Sequence, residues 1–385
     1  MKINRLYNLD CREGLKRLLD NSIDCCISSP PYWSLRDYGI EPSVWDGDPE
    51  CEHNWELNIK EIKMSVSDKS TLVGYTSEDV KIRNRNGKVK SGFCSKCGAW
   101  LGCLGLEPTF ELYIKHLADI YDLVKQKLKK RGTCWVNLGD CYSSKPAGNP
   151  YSSGLSKEPN PSQSHSHRKD TSQCRIPQKC LLMIPQRFAI EMINRGWILR
   201  NVIIWHKPNC MPSSAKDRFT VDFEYVYFFV KSKKYWFEQQ REPLSIESLK
   251  DIAKRDMKKP FLDGSKGSKT FIENAPKSHD KSTRSRSEFY DMRGRNKRCV
   301  WKIPTKPNPE AHFATFPPNL VKPMIKAGCP EEGLVLDPFA GTGTTLKTAF
   351  KLGRNFIGFE ISKEYCKIAK KGMGFTKTKR LSEFF

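Results

Sequence analysis

Long apolar runs are absent from this sequence. No segment reaches the length of a membrane span, and residues 1–5 form no apolar signal region. We therefore expect a cytoplasmic chain without a membrane partner. Its 15 cysteines should then be reduced, and most of them, such as Cys25 and Cys134, have the apolar neighbours typical of small buried side chains.

Acidic residues are also scarce relative to basic ones. Asp and Glu number 43 against 66 Lys and Arg, which gives a formal charge of +23. Such an excess favours a polyanionic partner, because phosphate contacts would dominate the affinity. A basic protein without such a partner is the plainer alternative, but nucleic acid is favoured. The aromatic share of 11% also leaves rings for stacking on bases.

Two common phosphate-binding signatures are missing as well. The glycine-rich segment at Gly341 and Gly343 lacks the spacing of a P-loop, since Leu346 rather than Gly precedes Lys347. Leu346 also stands where the third Gly of a dinucleotide fingerprint would be. By itself this segment indicates a nucleoside cofactor, with plain tight packing as the alternative.

Strand-like and helix-like segments alternate along the 385 residues, which suffice for one sizeable core with insertions or for two domains. Apolar and β-branched runs predict strands at 3–9, 23–27, 133–138, 198–205, 225–230 and 356–359. Apolar residues at helical spacing predict helices at 11–19, 111–130, 185–195 and about 337–352. This alternation predicts a doubly wound α/β sheet.

Two short motifs follow predicted buried strands near opposite ends of the chain. Ser29-Pro30-Pro31-Tyr32 comes after residues 23–27, and Asp337-Pro338-Phe339-Ala340-Gly341-Thr342-Gly343 comes after residues 334–336. Ligands of open parallel sheets bind at the carboxyl ends of the strands. We therefore expect these two loops to place a cofactor and a small planar substrate side by side. Glu360 ends the next strand, where its carboxylate could accept hydrogen bonds from a ribose.

Taken together, these motifs resemble those of amino-methylating DNA methyltransferases that use S-adenosyl-L-methionine. Ser29–Tyr32 is similar to the catalytic tetrapeptide of that family, Asp337–Gly343 to its cofactor motif, and Glu360 to its ribose-binding acid. Further resembling blocks are Asn8-Leu9-Asp10, Trp135–Asp140, Trp205–Asn209 and His312–Pro317. Here the catalytic motif precedes the cofactor motif, the order of the circularly permuted β group of the family.

The resemblance implies a Rossmann-like methyltransferase fold with a mostly parallel seven-stranded sheet, circularly permuted and carrying inserted segments. It implies catalytic roles for Ser29, Pro30, Pro31 and Tyr32. The cofactor-binding residues that it implies are Asp10, Phe316, Pro317, Asp337, Pro338, Phe339, Gly341, Gly343, Thr344 and Glu360.

The chemistry that the family performs is consistent with this loop. An exocyclic amine of a base is a poor nucleophile, because its lone pair is delocalised into the ring. Two prolines fix the backbone, so that a carbonyl can hold the amine, while Ser29 adds a hydroxyl and Tyr32 a ring for stacking. Chemistry at cytosine C5 would need a nucleophilic Cys, typically after Pro, and the chain has no Pro-Cys dipeptide.

Ser rather than Asp at position 29 favours cytosine N4 over adenine N6 as the methyl acceptor in this family. The expected activity is site-specific N4-cytosine methylation of double-stranded DNA, in a restriction-modification system with a separately acting restriction endonuclease. N6-adenine methylation by the same fold and a catalytically inactive DNA-binding module remain alternatives. The chain could act as a monomer or as a homodimer.

Long polar stretches interrupt the core pattern. We expect core segments at 1–50, 106–142, 177–241 and 301–385, a Cys/His insertion at 51–105, a flexible loop at 143–176 and a target-recognition region at 242–300. The residues expected to contact DNA, mostly its phosphates, are Arg36, Lys207, Arg293, Arg295, Lys297 and Arg298.

The insertion also contains a candidate metal site. Cys51, His53, Cys94 and Cys97 offer three thiols and an imidazole, and the Cys-x-x-Cys pair followed by Gly98 is typical of a zinc knuckle. Cys103 could replace one ligand. We expect a structural zinc ion that holds the insertion and takes no part in catalysis, with unligated reduced thiols as the alternative.

Overall fold

The fold is that of a computed structural model, which describes residues 1–34, 38, 40–62, 87–143, 176–247, 249–250, 294–305 and 316–373, with backbone alone at 58–62 and 87–90. The chain divides into two compact units. One comprises Met1–Phe237 and Cys299–Phe385, and the other is Glu238–Arg298.

Strands and helices follow one another along the described residues of both units. The strands described are β1 Arg5–Asn8, β2 Ile23–Ser28, β3 Ser43–Trp45, β4 Trp55–Ile62, β5 Gly87–Cys94, β6 Trp100–Gly102, β7 Leu128–Leu138, β8 Ile198–His206, β9 Phe223–Val230, β10 Arg241–Glu242, β11 Arg295–Asn296, β12 Val300–Lys302, β13 Leu334–Asp337 and β14 Asn355–Glu360. The helices are α1 Cys11–Lys16, α2 Phe110–Lys127, α3 Ile184–Asn194, α4 Pro318–Gly328, α5 Thr344–Lys351 and α6 Lys363–Gly372.

The main sheet is mostly parallel, as predicted, and has the strand order β1-β14-β13-β2-β7-β9-β8-β12. Only β9 runs antiparallel to its neighbours β7 and β8 among these described strands. The sheet has eight strands rather than the predicted seven. The additional strand is β12, whose three residues pair parallel to the end of β8 at one edge.

Helices cover both faces of this sheet, because each presents one apolar stripe to it. Residues of α1, α2 and α3, such as Leu15, Leu117 and Phe188, belong to one buried cluster. Residues of α4, α5 and α6, such as Leu320 and Leu346, belong to a second cluster. The central strands are therefore buried on both sides, which explains their continuous apolar sequences.

A second, antiparallel sheet has the order β3-β6-β5-β4. It begins at Ser43, ahead of the boundary predicted at residue 51, because Ser43–Trp45 pairs with Trp100–Gly102. Trp45 and Trp100 stack on the imidazole of His116 in α2, with ring centroids 4.7 and 5.5 Å away. These aromatic contacts pack the insertion against the core helix.

The smaller unit, Glu238–Arg298, contains the antiparallel pair β10–β11. It overlaps the segment 242–300, whose role in target recognition stays a prediction. None of the helices in the described ranges combines the length and the apolar character needed to cross a bilayer.

Candidate active site

A cavity of about 270 Å³ opens at the carboxyl ends of β1, β2, β13 and β14. Pro30 and Gly341, which are far apart in the sequence, both line it. The two motif loops therefore meet at one site, as the strand order of the sheet requires: β2 and β13 are direct neighbours. Such strand-end crevices are the usual ligand sites of open α/β sheets.

The loop after β2 is held by contacts on its buried side. The hydroxyl of Tyr113 donates to the carbonyl of Pro31 at 2.8 Å, and the indole of Trp33 donates to the carbonyl of Glu107 at 3.0 Å. Pro30 lines the cavity, and its carbonyl accepts no hydrogen bond from the described residues. The loop thus has a fixed backbone with one proline carbonyl already occupied.

Tyr32 ties this loop to two further strands. Its hydroxyl lies 2.7 Å from Oε2 of Glu224 and 3.1 Å from Oδ1 of Asn137, and it accepts from Oγ of Ser29 at 3.3 Å. Burial and the charge of Glu224 raise the pKa of Tyr32 well above its usual value. The phenol therefore stays protonated and serves as a donor.

Glu224 is the centre of this polar group. It accepts from Nδ2 of Asn137 at 3.1 Å, and its other oxygen pairs with the ammonium of Lys207. That ammonium also lies 4.4 Å from the ring centroid of Trp205. Lys207, predicted from the sequence to contact DNA, is thus a cavity-wall residue whose charge is already balanced.

The glycine bend after β13 surrounds a second carboxylate. The backbone amide of Gly341 donates to Oε2 of Glu360 at 2.8 Å, and the amide of Ser362 donates to Oε1 at 2.8 Å. Gly341 and Gly343 have φ of +50° and +78°, values at which residues with a Cβ are strained. Burial raises the pKa of Glu360, and the hydrogen bonds from these amides partly offset that rise because they stabilise the carboxylate.

Asp337 and Asp10, two other predicted cofactor residues, are held by hydrogen bonds from backbone amides. Asp337 is 1% exposed and accepts from the amide of Phe339 at 3.0 Å. Burial raises the pKa of Asp337 to about 7. Asp10 caps α1 through the amide of Arg12 at 2.7 Å and pairs with its guanidinium at 2.9 Å. Asp337 therefore shapes the bend, while Asp10 lines the cavity.

Most of the predicted catalytic and cofactor-binding residues lie at this cavity, and one predicted DNA contact lies there as well. Those in its lining are Asp10, Ser29, Pro30, Pro31, Tyr32, Lys207, Phe316, Pro338, Phe339, Gly341, Thr344 and Glu360. Asp337, Gly343 and Pro317 lie outside the lining. Glu224, Asn137 and Trp205 also line it but were not predicted as site residues. The blocks Trp135–Asp140 and Trp205–Asn209 contain two of them, whereas no local motif marks Glu224.

The residues predicted to contact DNA are placed differently. Arg36 and Arg293 lie outside the described residues. In the smaller unit, Arg295 and Arg298 share Oε1 of Glu242 at 2.8 and 2.7 Å, and the amide of Lys297 donates to Gln240 at 2.9 Å. Their contact with phosphate stays a prediction.

The predicted metal ligands come together in the insertion. The ligand atoms of Cys51, His53, Cys94 and Cys97 all lie within 4.8 Å of one another. Nδ1 of His53 is 3.4 Å from the sulfur of Cys97. Cys103 is elsewhere: its thiol faces the carbonyl of Ile40 at 3.2 Å and lines the cavity, so it is no substitute ligand.

Comparisons with known proteins place the chain in a family. Residues 23–371 match the family model described as DNA methylase. The chain is 31% identical over 361 residues to the Type II methyltransferase M.SmaI of Serratia marcescens, an alignment covering 94% of this chain and 87% of the relative. It is 30% identical over 366 residues to M.XycI of Xanthomonas campestris pv. cyanopsidis, covering 94% and 85%.

A solved structure resembles the fold. The PvuII DNA methyltransferase (cytosine-N4-specific) superposes with a TM-score of 0.50, at 16% identity, over 98% of this chain and 88% of that one. At this level of identity the likeness concerns the fold alone.

Proposed function

This chain belongs to the DNA methylase family, and we propose that it transfers the methyl group of S-adenosyl-L-methionine to N4 of cytosine at a specific site in double-stranded DNA. The observation that carries the proposal is the shared cavity, in which Ser29–Tyr32 faces the glycine bend at Gly341. The target base must leave the duplex stack to reach this cavity, at a cost of a few kcal/mol.

The cofactor end of the cavity suits a nucleoside with a charged amino-acid tail. Glu360 has each oxygen held by one backbone amide, so its remaining lone pairs can accept from ribose hydroxyls. Phe316, Phe339 and Tyr365 supply apolar walls. When bound, S-adenosyl-L-methionine supplies an electrophilic methyl group on a sulfonium sulfur.

The amine end is defined by Ser29 and Pro30. Because Tyr113 occupies the carbonyl of Pro31, the carbonyl of Pro30 is the backbone acceptor assigned to one hydrogen of the amine. The hydroxyl of Ser29, another residue of the cavity lining, is assigned to the second hydrogen. Two such acceptors orient the amine lone pair away from the ring plane, and positioning supplies most of the rate.

Tyr32 is the assigned stacking surface for the extruded base. Glu224 and Asn137 fix its hydroxyl, and the edge of its ring lies against Gly139, where an added Cβ would be 2.7 Å from Cε2 of the ring. Its orientation is therefore set before substrate enters, which lowers the entropic cost of binding. Glu224, Asn137 and Lys207 act as positioning residues.

The choice of cytosine rests on Ser29. A neutral hydroxyl, rather than the carboxylate of an Asp, faces a ring whose N3 accepts hydrogen bonds. A serine hydroxyl can donate to such a ring atom or accept from the amine, whereas an ionised carboxylate only accepts. N6 of adenine on the same fold is the second candidate, because adenine also presents an exocyclic amine.

The product identifies the acceptor directly. DNA incubated with the protein and labelled cofactor is digested to nucleosides, which are then separated and weighed by mass spectrometry. N4-methylcytosine carrying the label is the expected product. Labelled N6-methyladenine without N4-methylcytosine would refute the cytosine assignment, and absence of label despite cofactor binding would favour a DNA-binding module.

We place this activity in a restriction-modification system, in which methylation would protect the host DNA from a separately acting restriction endonuclease. In that setting the segment 242–300 would read the target, and Arg36, Arg293, Arg295, Lys297 and Arg298 would contact the phosphates. The support is the charge of +23, since cationic side chains dominate contacts to the DNA backbone. Sequencing of modified positions in exposed DNA would identify the site.

A further inference from the structure

We propose that Cys51, His53, Cys94 and Cys97 hold one zinc ion, and that this ion fixes the wall of the cavity nearest Asp10 through β3 of the insertion. The first part stands on the cluster geometry alone. Its consequence for cofactor affinity rests on the function proposed above.

The distances in the cluster are close to those of a tetrahedral zinc site. With Zn–S of about 2.3 Å and Zn–N of about 2.0–2.1 Å, two ligand sulfurs lie about 3.8 Å apart and a sulfur and a nitrogen about 3.6 Å apart. The four ligand atoms lie within 4.8 Å of one another, and Cys97 Sγ is 3.4 Å from Nδ1 of His53. A closure of about 1 Å would complete the coordination.

The backbone around the Cys-x-x-Cys pair has a tight turn. The amide of Gly98 donates to the carbonyl of Cys94 at 2.9 Å, and the amide of Cys94 donates to the carbonyl of Ala99 at 2.8 Å. These bonds fold the chain so that both thiols face the same point. Three soft thiolates with one imidazole select zinc over magnesium or calcium, which prefer oxygen ligands.

The cluster adjoins the loop after β3. A Cβ at Gly47 would lie 3.0 Å from the sulfur of Cys97 and 2.5 Å from Cβ of Ala99. The adjacent residue, Asp46, accepts from Lys115 at 2.6 Å and faces Nε2 of the fully buried His116 at 3.1 Å. The cluster is therefore in direct contact with the segment that anchors β3 on α2.

From β3 the contacts continue to the cavity. The guanidinium of Arg12 lies 3.8 Å from the ring centroid of Trp45 and donates to Oγ of Ser43 and to the carbonyl of Val44 at 2.8 Å each. The same guanidinium holds Asp10 at 2.9 Å. Trp45, Ser43 and Asp10 all line the cavity. If β3 loosened, Arg12 would lose its contacts with this strand and would no longer be held in place beside Asp10.

Metal content tests the site without any assay of methyl transfer. Protein purified without chelator is analysed by elemental mass spectrometry, alongside the variant Cys94→Ser/Cys97→Ser and a matched control, Cys180→Ser/Cys299→Ser, which removes two exposed cysteines. We expect about one zinc per chain in the wild-type chain and the control, and none in the first variant. Wild-type protein that contains no zinc and takes up none from solution would overturn the proposal, as would stoichiometric iron.

A spectroscopic measurement covers the case in which the double variant fails to fold. Co²⁺ exchanged into the wild-type chain should give the intense visible bands of a tetrahedral thiolate site, together with thiolate-to-metal charge transfer. Octahedral cobalt with weak bands would contradict the ligand set. In metal-depleted protein we expect the cofactor dissociation constant to rise about tenfold while the main sheet stays folded. An unchanged dissociation constant in protein shown to have lost zinc would refute the link to Asp10 and leave the metal site itself intact.

Discussion

A single phenol at position 32 connects the loop Ser29–Tyr32 to two strands that are remote in sequence. Asn137 comes from β7 and Glu224 from β9, and they meet because these strands pair antiparallel, with Asn137 opposite Val226. The tetrapeptide itself can be recognised in the sequence. The two partners of Tyr32 cannot, since a separation of 192 residues between Tyr32 and Glu224 is bridged only by the fold.

Removal of this hydroxyl should slow methyl transfer. In Tyr32→Phe the bonds to Glu224 and Asn137 are lost, which leaves the partly buried carboxylate of Glu224 with one partner fewer. A loss of about 1–3 kcal/mol corresponds to a transfer rate lower by about 5–150-fold. Cofactor affinity, measured by calorimetry, should change by less than about threefold on the same grounds, because the change lies at the base end.

Tyr227→Phe is the matched control. Tyr227 is also a buried tyrosine, but its hydroxyl has no hydrogen-bond partner among the described residues. Its removal should leave the transfer rate near that of the wild-type chain. Equal losses in the two variants would show that the loss in Tyr32→Phe does not come from its bonds to Glu224 and Asn137.

Asp337 should make stability depend on pH. Burial raises its pKa to about 7, whereas an unfolded chain has an Asp pKa of about 3.9. The native state therefore binds the proton more tightly, and this contribution to stability is present below about pH 4 and is lost as the pH rises through 7.

The variant Asp337→Asn isolates this effect. The unfolding free energy of the wild-type chain relative to Asp337→Asn should fall by about 2–3 kcal/mol between pH 5 and pH 7.5. Chemical denaturation of both proteins at each pH gives the difference, in which the other titrating groups cancel. A difference that is constant, or that grows toward pH 7.5, would mean that Asp337 is ionised in the folded protein.

At the scale of the elements, periodicity predicts the long segments well and the short ones poorly. The apolar spacing of α2 identifies the helix, but its end at Lys127 precedes the predicted residue 130 because β7 begins directly at Leu128. β12 is only three residues long, and pairing with β8 rather than its own composition makes it a strand. A strand of three residues is too short for its apolar residues to show a periodicity from which it could be predicted.

The glycine bend gives a test at this scale. Gly343 precedes α5 with φ of +78°, and a Cβ there would lie 3.1 Å from Cβ of Ala369 in α6. Gly353 follows the same helix with φ of +70° but faces open space. Both substitutions by Ala incur the cost of a positive φ, about 1–2 kcal/mol.

Only Gly343→Ala should also crowd a neighbouring helix. We therefore expect it to lower the unfolding free energy by about 1 kcal/mol more than Gly353→Ala does. Denaturant titration of the two variants measures this difference. If Gly353→Ala were the more destabilising, the packing of α5 against α6 would not be what requires glycine at position 343.

For the whole molecule, charge sets the expected partner. A net charge of +23 should attract DNA by release of its counterions. If 6–10 phosphates are contacted, affinity should fall about 10³–10⁵-fold between 50 and 200 mM salt. Fluorescence anisotropy of a labelled duplex at several salt concentrations gives this dependence.

One cation of the smaller unit provides the corresponding variant. Arg298→Gln should reduce the slope of log affinity against log salt by about one, with little change in sequence preference. A slope near zero in the wild-type chain would contradict binding through phosphates. An unchanged slope in the variant would remove Arg298 from the predicted contacts.

The position of the candidate active site could be predicted at the scale of the whole molecule, because ligands of open α/β sheets bind at the carboxyl ends of the strands. The insertion could not be placed in this way. Nothing in the spacing of Cys51 and Cys94 indicates that the strands on either side of them, β3 and β6, stack on His116, because that contact depends on two tryptophans meeting one helix. The ligand set itself was predictable, as the Cys-x-x-Cys pattern is local.

The central claim is that one cavity has a base end and a cofactor end, and one paired measurement tests it most directly. Cofactor dissociation constants and methyl-transfer rates are measured together for Ser29→Ala and Glu360→Gln. Ser29→Ala should lose transfer about 100-fold with cofactor affinity retained, whereas Glu360→Gln should weaken cofactor binding about tenfold or more. Proportional loss of both quantities in both variants would contradict the division of the cavity into two ends.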